Sequence, residues 1–129
     1  MIEFYWPTSP GEWLGWISAA ITVFFGLLLL FAPRLSYRIM RITTVPEHPE
    51  AVAEGRATMA GFYLGVGLSA ILFAQPLLYM ALGAGWAFTA FGRLVSIVLD
   101  RGNTPFNWVS IACEAALAAA PLAFVFGLV

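Results

Sequence analysis

The amino-acid sequence predicts an all-α fold: a membrane four-helix bundle with a short interfacial amphipathic helix between its first two spans. Of the 129 residues, 61% are hydrophobic and only 10% are charged, whereas an ordinary soluble domain is about 25% charged. Four apolar stretches approach the roughly 20 residues that a helix needs to cross a bilayer core. Polar side chains inside these stretches recur at helical spacing. The chain is therefore expected to be an integral membrane protein.

The four spans are expected over residues 13–32, 51–74, 79–99 and 105–127, within a single domain that covers residues 1–129. Pro33 closes the first span, and Gln75 and Pro76 end the second. Thr104 and Pro105 form an N-cap and first-turn pair for the fourth span. The segment DRGNTP before it has the composition of a tight turn.

The connection between the first two spans contains three arginines at near-helical spacing. Arg34, Arg38 and Arg41 are expected on one helix face, and Leu35, Ile39 and Ile42 on another. A helix with one basic and one apolar face is typical of a segment that lies in the membrane interface.

The distribution of positive charge predicts how the chain is oriented. All six arginines lie in the connections 33–50 and 100–104 or within seven residues of them, and there is no lysine. The positive-inside rule therefore places both connections in the cytoplasm and both termini outside. The N-terminal segment lacks the basic region of a cleaved signal peptide, so the first span is expected to be retained. Several tryptophans fit an outer aromatic belt: Trp6, Trp13, Trp16 and Trp86.

Composition also argues against several classes of function. The net charge of −1 and the lack of a basic cluster disfavour nucleic-acid binding. Cys113 is the single cysteine and His48 the single histidine, so no metal site is expected. We find no glycine-rich phosphate loop, nucleophile–base pair or bis-histidine haem motif. No cofactor is predicted from these motifs, and an enzymatic role is disfavoured.

Two neighbouring spans carry matching stripes of polar residues, each spaced +4, +3, +4 along a helix. The stripe of the third span consists of Thr89, Arg93, Ser96 and Asp100, and that of the fourth consists of Asn103, Asn107, Ser110 and Glu114. Charges at membrane depth normally face a partner or a wet cavity. The two stripes are therefore expected to face each other.

Arg93 and Glu114 are expected to meet as a buried ion pair. At 1.5 Å per residue, Arg93 lies about 10 Å before Asp100 and Glu114 about 13 Å after Pro105, so both lie at a similar depth from the same turn. Ser96, Asn107 and Ser110 would supply hydrogen bonds. A structural pair that sets helix register and a functional site for protons or a headgroup both remain open.

The second span suggests two further features. Glu54 and Arg56 lie at its cytoplasmic end, level with Asp100 and Arg101, which favours a cluster of interfacial salt bridges. A small-xxx-small stripe, which permits close helix packing within the chain or between protomers, comprises Ala57, Gly61, Gly65 and Ser69.

A resemblance to a known family rests on two segments, EGRATMAGFYLGVGLS and GWAFTAFGRLVSIVLDRG, and on Glu114 after them. Over nearly its whole length the chain resembles a family of small bacterial inner-membrane proteins, domain of unknown function 4345, which is similar to the DoxX-like four-helix membrane proteins. That wider group includes a quinone-reducing subunit of a thiosulfate-oxidising enzyme. The resemblance thus implies an inner-membrane location and admits a quinone, but it implies no established activity.

Three functions are compatible with these features. The first is a non-enzymatic accessory or structural subunit of a larger membrane complex, or a homo-oligomer. The second is a quinone- or lipid-binding, redox-linked module that uses the polar stripes. The third is a small proton-coupled carrier with Glu114 as the titrating group. In each case membrane lipid is an expected partner.

Overall fold

The computed structural model describes residues 3–129. It contains five helices and, over those residues, no strand: α1 (Pro10–Phe31), α2 (Pro33–Met40), α3 (Glu50–Phe73), α4 (Pro76–Leu99) and α5 (Pro105–Val125). All but α2 are long and apolar enough to cross a membrane. The all-α class, the four candidate spans and the short helix between the first two are therefore confirmed. The long helices begin and end within three residues of the expected bounds.

Local sequence signals explain where the helices begin and end. Prolines occupy the first turns of α1, α2, α4 and α5, where a missing N–H costs nothing. The Ser9 hydroxyl accepts the Glu12 N–H at 3.2 Å, and Thr104 caps α5 in the same way. Ala74 ends α3 in the left-handed conformation (φ 45°) and donates its N–H to the Ala70 carbonyl at 3.0 Å.

The four long helices form a ring in which α1 packs against α3 and α5, and α4 packs mainly against α5. Contact between α3 and α4 is the least extensive in the ring, although the loop that connects these two helices is only two residues long. The core lies at the centre of the ring and consists of Ala19, Ala70, Tyr79, Leu82, Trp86 and Ala118.

Small residues allow this close packing, but they are not the ones in the predicted stripe. A Cβ on Gly67 would lie 2.7 Å from Val23 on α1, and a Cβ on Gly83 would lie 2.6 Å from Leu122 on α5. Apart from the backbone of α3 itself, a Cβ on Gly61 or Gly65 would meet no atom of residues 3–129 within 4 Å. The two glycines of the predicted stripe therefore do not pack against another helix in the described part of the chain.

Helical geometry explains this result. The buried small residues of α3 are Ala60, Gly67 and Ala70. At 100° per residue they lie on the side of α3 opposite Gly61 and Gly65. Both glycines are exposed.

A π-helical turn over Gly55–Met59 interrupts α3 near its start. The Gly55 N–H bonds to the Val52 carbonyl, and the Ala51 carbonyl instead accepts the Tyr37 hydroxyl at 2.6 Å. A Cβ on Gly55 would lie 2.6 Å from that hydroxyl oxygen. Gly55 is thus needed where α2 docks against α3.

The short helix α2 is amphipathic, and its buried residues are Pro33, Ser36 and Tyr37. Leu35 and Ile39 are exposed, as expected for a segment at the membrane interface. Arg41 lies just beyond the helix in the left-handed conformation (φ 61°), so the chain turns at this residue rather than continuing the helix.

Candidate functional site

The strongest polar feature of the bundle joins α4 to α5. Arg93 Nε lies 2.9 and 3.1 Å from the two carboxylate oxygens of Glu114, and Arg93 Nη2 lies 2.6 Å from Oε1. The Glu114 side chain is 8% exposed and that of Arg93 is 29% exposed. α4 ends and α5 begins at the same short turn. Arg93 and Glu114 therefore lie at a similar depth in the interface between these two helices.

Asn107 connects the ion pair to that turn. Its side-chain oxygen accepts Arg93 Nη1 at 3.1 Å, and its amide donates to the Gly102 carbonyl at 2.8 Å. A Cβ on Gly102 would lie 2.9 Å from the Ser96 carbonyl oxygen and 3.0 Å from the Asn107 amide nitrogen. The glycine therefore permits the close approach that anchors Asn107.

Ser96 and Ser110, the other two residues expected to supply hydrogen bonds, do not bond to the pair, and neither does Thr89 from the same stripe. The Ser110 hydroxyl donates to the Phe106 carbonyl and the Thr89 hydroxyl to the Gly85 carbonyl, each at 2.8 Å. Ser96 donates to the Asp100 carboxylate at 2.9 Å. The expectation for Ser96 and Ser110 was wrong because a short hydroxyl in a helix finds an acceptor one turn away on its own helix.

The expected salt bridges among Glu54, Arg56, Asp100 and Arg101 do not form. Within residues 3–129 the ion pairs are Arg93–Glu114 and, if the histidine is protonated, His48–Glu50. Glu54 accepts a hydrogen bond from Thr58, one turn further along α3.

Arg56 instead caps another helix. Its Nη1 donates to the Leu30 carbonyl at 3.0 Å. Leu30 is one of the last four residues of α1, whose carbonyls have no partner within the helix. A cation at a helix C-terminus is also favourable electrostatically. Arg56 therefore stabilises the junction of α1 and α3.

A second polar network, which sequence reasoning missed, crosses the centre of the bundle. Trp86 Nε1 donates to Thr22 Oγ1 at 2.8 Å, so Trp86 lies in the core and not in an aromatic belt. Thr22 donates to the Ser18 carbonyl at 2.8 Å. Ser18 Oγ in turn donates to the Leu117 carbonyl on α5 at 2.7 Å.

Pro121 explains the last of these bonds. Proline has no N–H, so within α5 the carbonyl four residues earlier, that of Leu117, loses its helical partner. The buried Ser18 hydroxyl on α1 replaces it. A proline inside a predicted span was the sequence signal that could have revealed a cross-helix donor.

An aromatic residue on α3 extends the site. The Tyr63 ring stacks on Trp86 with centroids 5.6 Å apart. The ion pair, Tyr63 and Trp86 thus bring together α3, α4 and α5.

The arrangement can hold helices together and orient a positive charge. Within the described chain, no group of three or more His, Cys, Asp or Glu side chains is placed to hold a metal ion. Two surface cavities are lined by other residues, one beside α2 and one beside the turn between α3 and α4.

Fold and site together define a small multi-pass membrane protein built around a buried Arg–Glu pair. Comparison with protein families identifies it further: the chain belongs to the family described as Domain of unknown function (DUF4345), whose profile matches residues 11–126. The match spans all four long helices apart from the first residue of α1. No curated protein and no solved structure gives a significant match.

Proposed function

We propose that this protein is a non-enzymatic accessory subunit of the bacterial inner membrane, which packs through α3 against a transmembrane helix of a larger complex. The observation that carries the proposal is the outward stripe of small residues on α3: Ala57, Gly61, Gly65 and Ser69. The first three are exposed, and no atom of another helix or loop within residues 3–129 lies within 4 Å of a Cβ placed on either glycine.

The stripe has the chemistry of a helix-packing surface. Glycine destabilises a helix interior by about 1 kcal/mol relative to alanine, and no contact within residues 3–129 uses the space at Gly61 or Gly65. In membranes, small residues four apart let a second helix approach closely. The exposed Phe62 and Leu68 lie beside the stripe and add apolar surface.

The buried ion pair supports a structural role better than a carrier role. Both Glu114 oxygens accept hydrogen bonds from Arg93. Protonation of Glu114 would break at least one of these bonds and remove the attraction between opposite charges. The pair is therefore suited to fixing α4 against α5.

The quinone-binding alternative receives less support from the cavities. The cavity beside α2 is lined by arginines and the cavity beside the α3–α4 turn by Tyr5, Gln75 and their neighbours, and neither includes Arg93 or Glu114. A quinone headgroup at the ion pair would need space that these cavities do not supply.

The proposed orientation has both termini outside and the segments 33–50 and 100–104 in the cytoplasm. All three arginines of the first segment and Arg101 of the second lie at the same end of the bundle as Arg56. This asymmetry follows the positive-inside rule. Three aromatic side chains cluster at the other end of the bundle, with ring centroids 5.4–5.8 Å apart, and fit the outer interface: Trp6, Trp13 and Trp16.

The test is co-purification of the tagged full-length protein from native membranes in mild detergent, with bound proteins quantified by mass spectrometry. Gly65→Leu should fill the contact surface and abolish recovery of a membrane partner. Gly85→Leu is the matched control, because Gly85 on α4 also has open space and lies outside the stripe.

Recovery of the same partner with both variants would refute the assigned surface. Recovery of the wild-type protein alone, or only as a homo-oligomer that Gly65→Leu disrupts, would refute the accessory-subunit role.

A further inference from the structure

The end of the bundle that carries α2 holds a basic surface cavity of about 490 Å³. Three arginines line it, Arg34 and Arg38 from α2 and Arg41 from the turn that follows. The hydroxyl-bearing residues Thr43 and Thr44 line it as well. Its volume falls within the range of about 300–1,000 Å³ that is usual for small-ligand sites.

The arginines of this cavity form no ion pair within residues 3–129. No carboxylate lies within 4.0 Å of Arg34, Arg38 or Arg41 anywhere in residues 3–129. Arg34 and Arg38, four residues apart on α2, repel each other. A bound anion would lower this repulsion and accept charge-assisted hydrogen bonds from the guanidinium groups.

The turn at Arg41 positions the third arginine. Its φ of 61° is a conformation that usually favours glycine, and it is held by a hydrogen bond from the Ile42 N–H to the Tyr37 carbonyl at 2.8 Å. The Arg41 guanidinium lies 4.7 Å from the centroid of the Phe106 ring on α5. This cation–π contact orders the side chain at the cavity.

Apolar residues beside the cavity place it at a membrane surface. Leu35 and Ile39 on α2 and Ile42 just after it are 46%, 58% and 43% exposed, in the segment that joins two membrane-length helices. Such side chains enter the acyl boundary of a bilayer, and the neighbouring arginines then lie at the depth of the lipid headgroups. Arginine is the side chain best suited to bind a phosphate through two parallel hydrogen bonds.

We propose that the cavity formed by Arg34, Arg38 and Arg41 binds a phosphate-bearing anion. Two sources share this chemistry, the headgroup of an anionic phospholipid and free phosphate, and the exposed apolar residues favour the lipid. The site is separate from the α3 stripe and from the Arg93–Glu114 pair, so it does not depend on the proposed function.

The lipid source is tested with the full-length protein in nanodiscs of phosphatidylcholine doped with phosphatidylglycerol. Phosphatidylglycerol that remains bound after transfer to detergent is counted by native mass spectrometry. Arg38→Gln should lower its retention about tenfold, because it removes at least one charge-assisted hydrogen bond. Arg101→Gln is the matched control, since it removes the same charge from an exposed residue outside the cavity.

Free phosphate is tested by calorimetric titration of inorganic phosphate into the protein in phosphatidylcholine nanodiscs. Binding that Arg38→Gln weakens and Arg101→Gln leaves intact supports the site with free phosphate as ligand. Equal loss of lipid and phosphate in both variants, or binding of neither probe by the wild-type protein, overturns the proposal. Arg34→Gln repeats the measurement if Arg38→Gln fails to fold, as judged by circular dichroism.

Discussion

The ion pair between α4 and α5 makes an asymmetric prediction about stability. Arg93→Met leaves the Glu114 carboxylate, which is 8% exposed, without its three hydrogen bonds. Loss of one partner of a buried pair costs about 3–5 kcal/mol. Glu114→Gln leaves a guanidinium that is 29% exposed and still bonded to Asn107, so we expect a smaller loss of about 1–3 kcal/mol.

The double variant Arg93→Met/Glu114→Leu should be more stable than Arg93→Met alone. Replacing both members of a buried pair by apolar residues leaves no unpaired charge, and such replacements are often neutral. The effects of Arg93→Met and Glu114→Leu, each also measured alone, should therefore depart from additivity by about 0.5–3 kcal/mol.

The assay is reversible unfolding in mixed micelles by titration with sodium dodecyl sulfate, followed by tryptophan fluorescence. Thr89→Ala serves as the control, because its hydroxyl bonds within α4 only. Its unfolding free energy should change by no more than about 0.5 kcal/mol. Equal losses for Arg93→Met and Glu114→Gln would show that burial of the carboxylate does not control the energetics. So would a double variant whose loss equals the sum of the Arg93→Met and Glu114→Leu losses.

Two further predictions use the same unfolding assay. Ser18→Ala should lower the free energy of unfolding by about 1–3 kcal/mol, because it leaves the Leu117 carbonyl, which has lost its helical partner to Pro121, without a donor. In a Pro121→Ala background this loss should be smaller, and an unchanged loss would contradict the explanation. Gly55→Ala should destabilise the protein by bringing a Cβ within 2.6 Å of the Tyr37 hydroxyl, whereas Gly92→Ala, with open space around it, should stabilise the protein by about 0.5–1 kcal/mol. Equal effects of the two glycine substitutions would show that the contact with Tyr37 is not limiting.

Much of the site could be predicted from the positions of residues along the chain. The spacing of Arg93 and Glu114 from one short turn was enough to pair them, because two antiparallel helices that leave the same turn share a depth scale. Asn107 lies on the same stripe as Glu114 and close to that turn, so its contact with Arg93 follows from the same spacing. Spacing did not reveal the partners of Ser96 and Ser110, since each hydroxyl had a nearer acceptor on its own helix.

Other contacts depended on elements far apart in the sequence. Arg56 was expected beside Asp100, yet it lies at the end of α1, where the Leu30 carbonyl accepts a hydrogen bond from its Nη1. Trp86 was expected at the outer interface, yet its indole N–H donates a hydrogen bond to the Thr22 hydroxyl inside the bundle. No local sequence pattern indicates which helix C-terminus or which buried hydroxyl a long side chain will contact.

Hydropathy, prolines and capping residues alone determined that this chain forms four membrane-length helices and a short basic one, because these signals act within one or two helical turns. The tertiary structure decided how each helix is rotated about its axis. That rotation turns Gly61 and Gly65 outward while Gly67 packs against Val23. It depends on the combined contacts of whole helix faces, since a rotation of α3 moves every side chain along it at once.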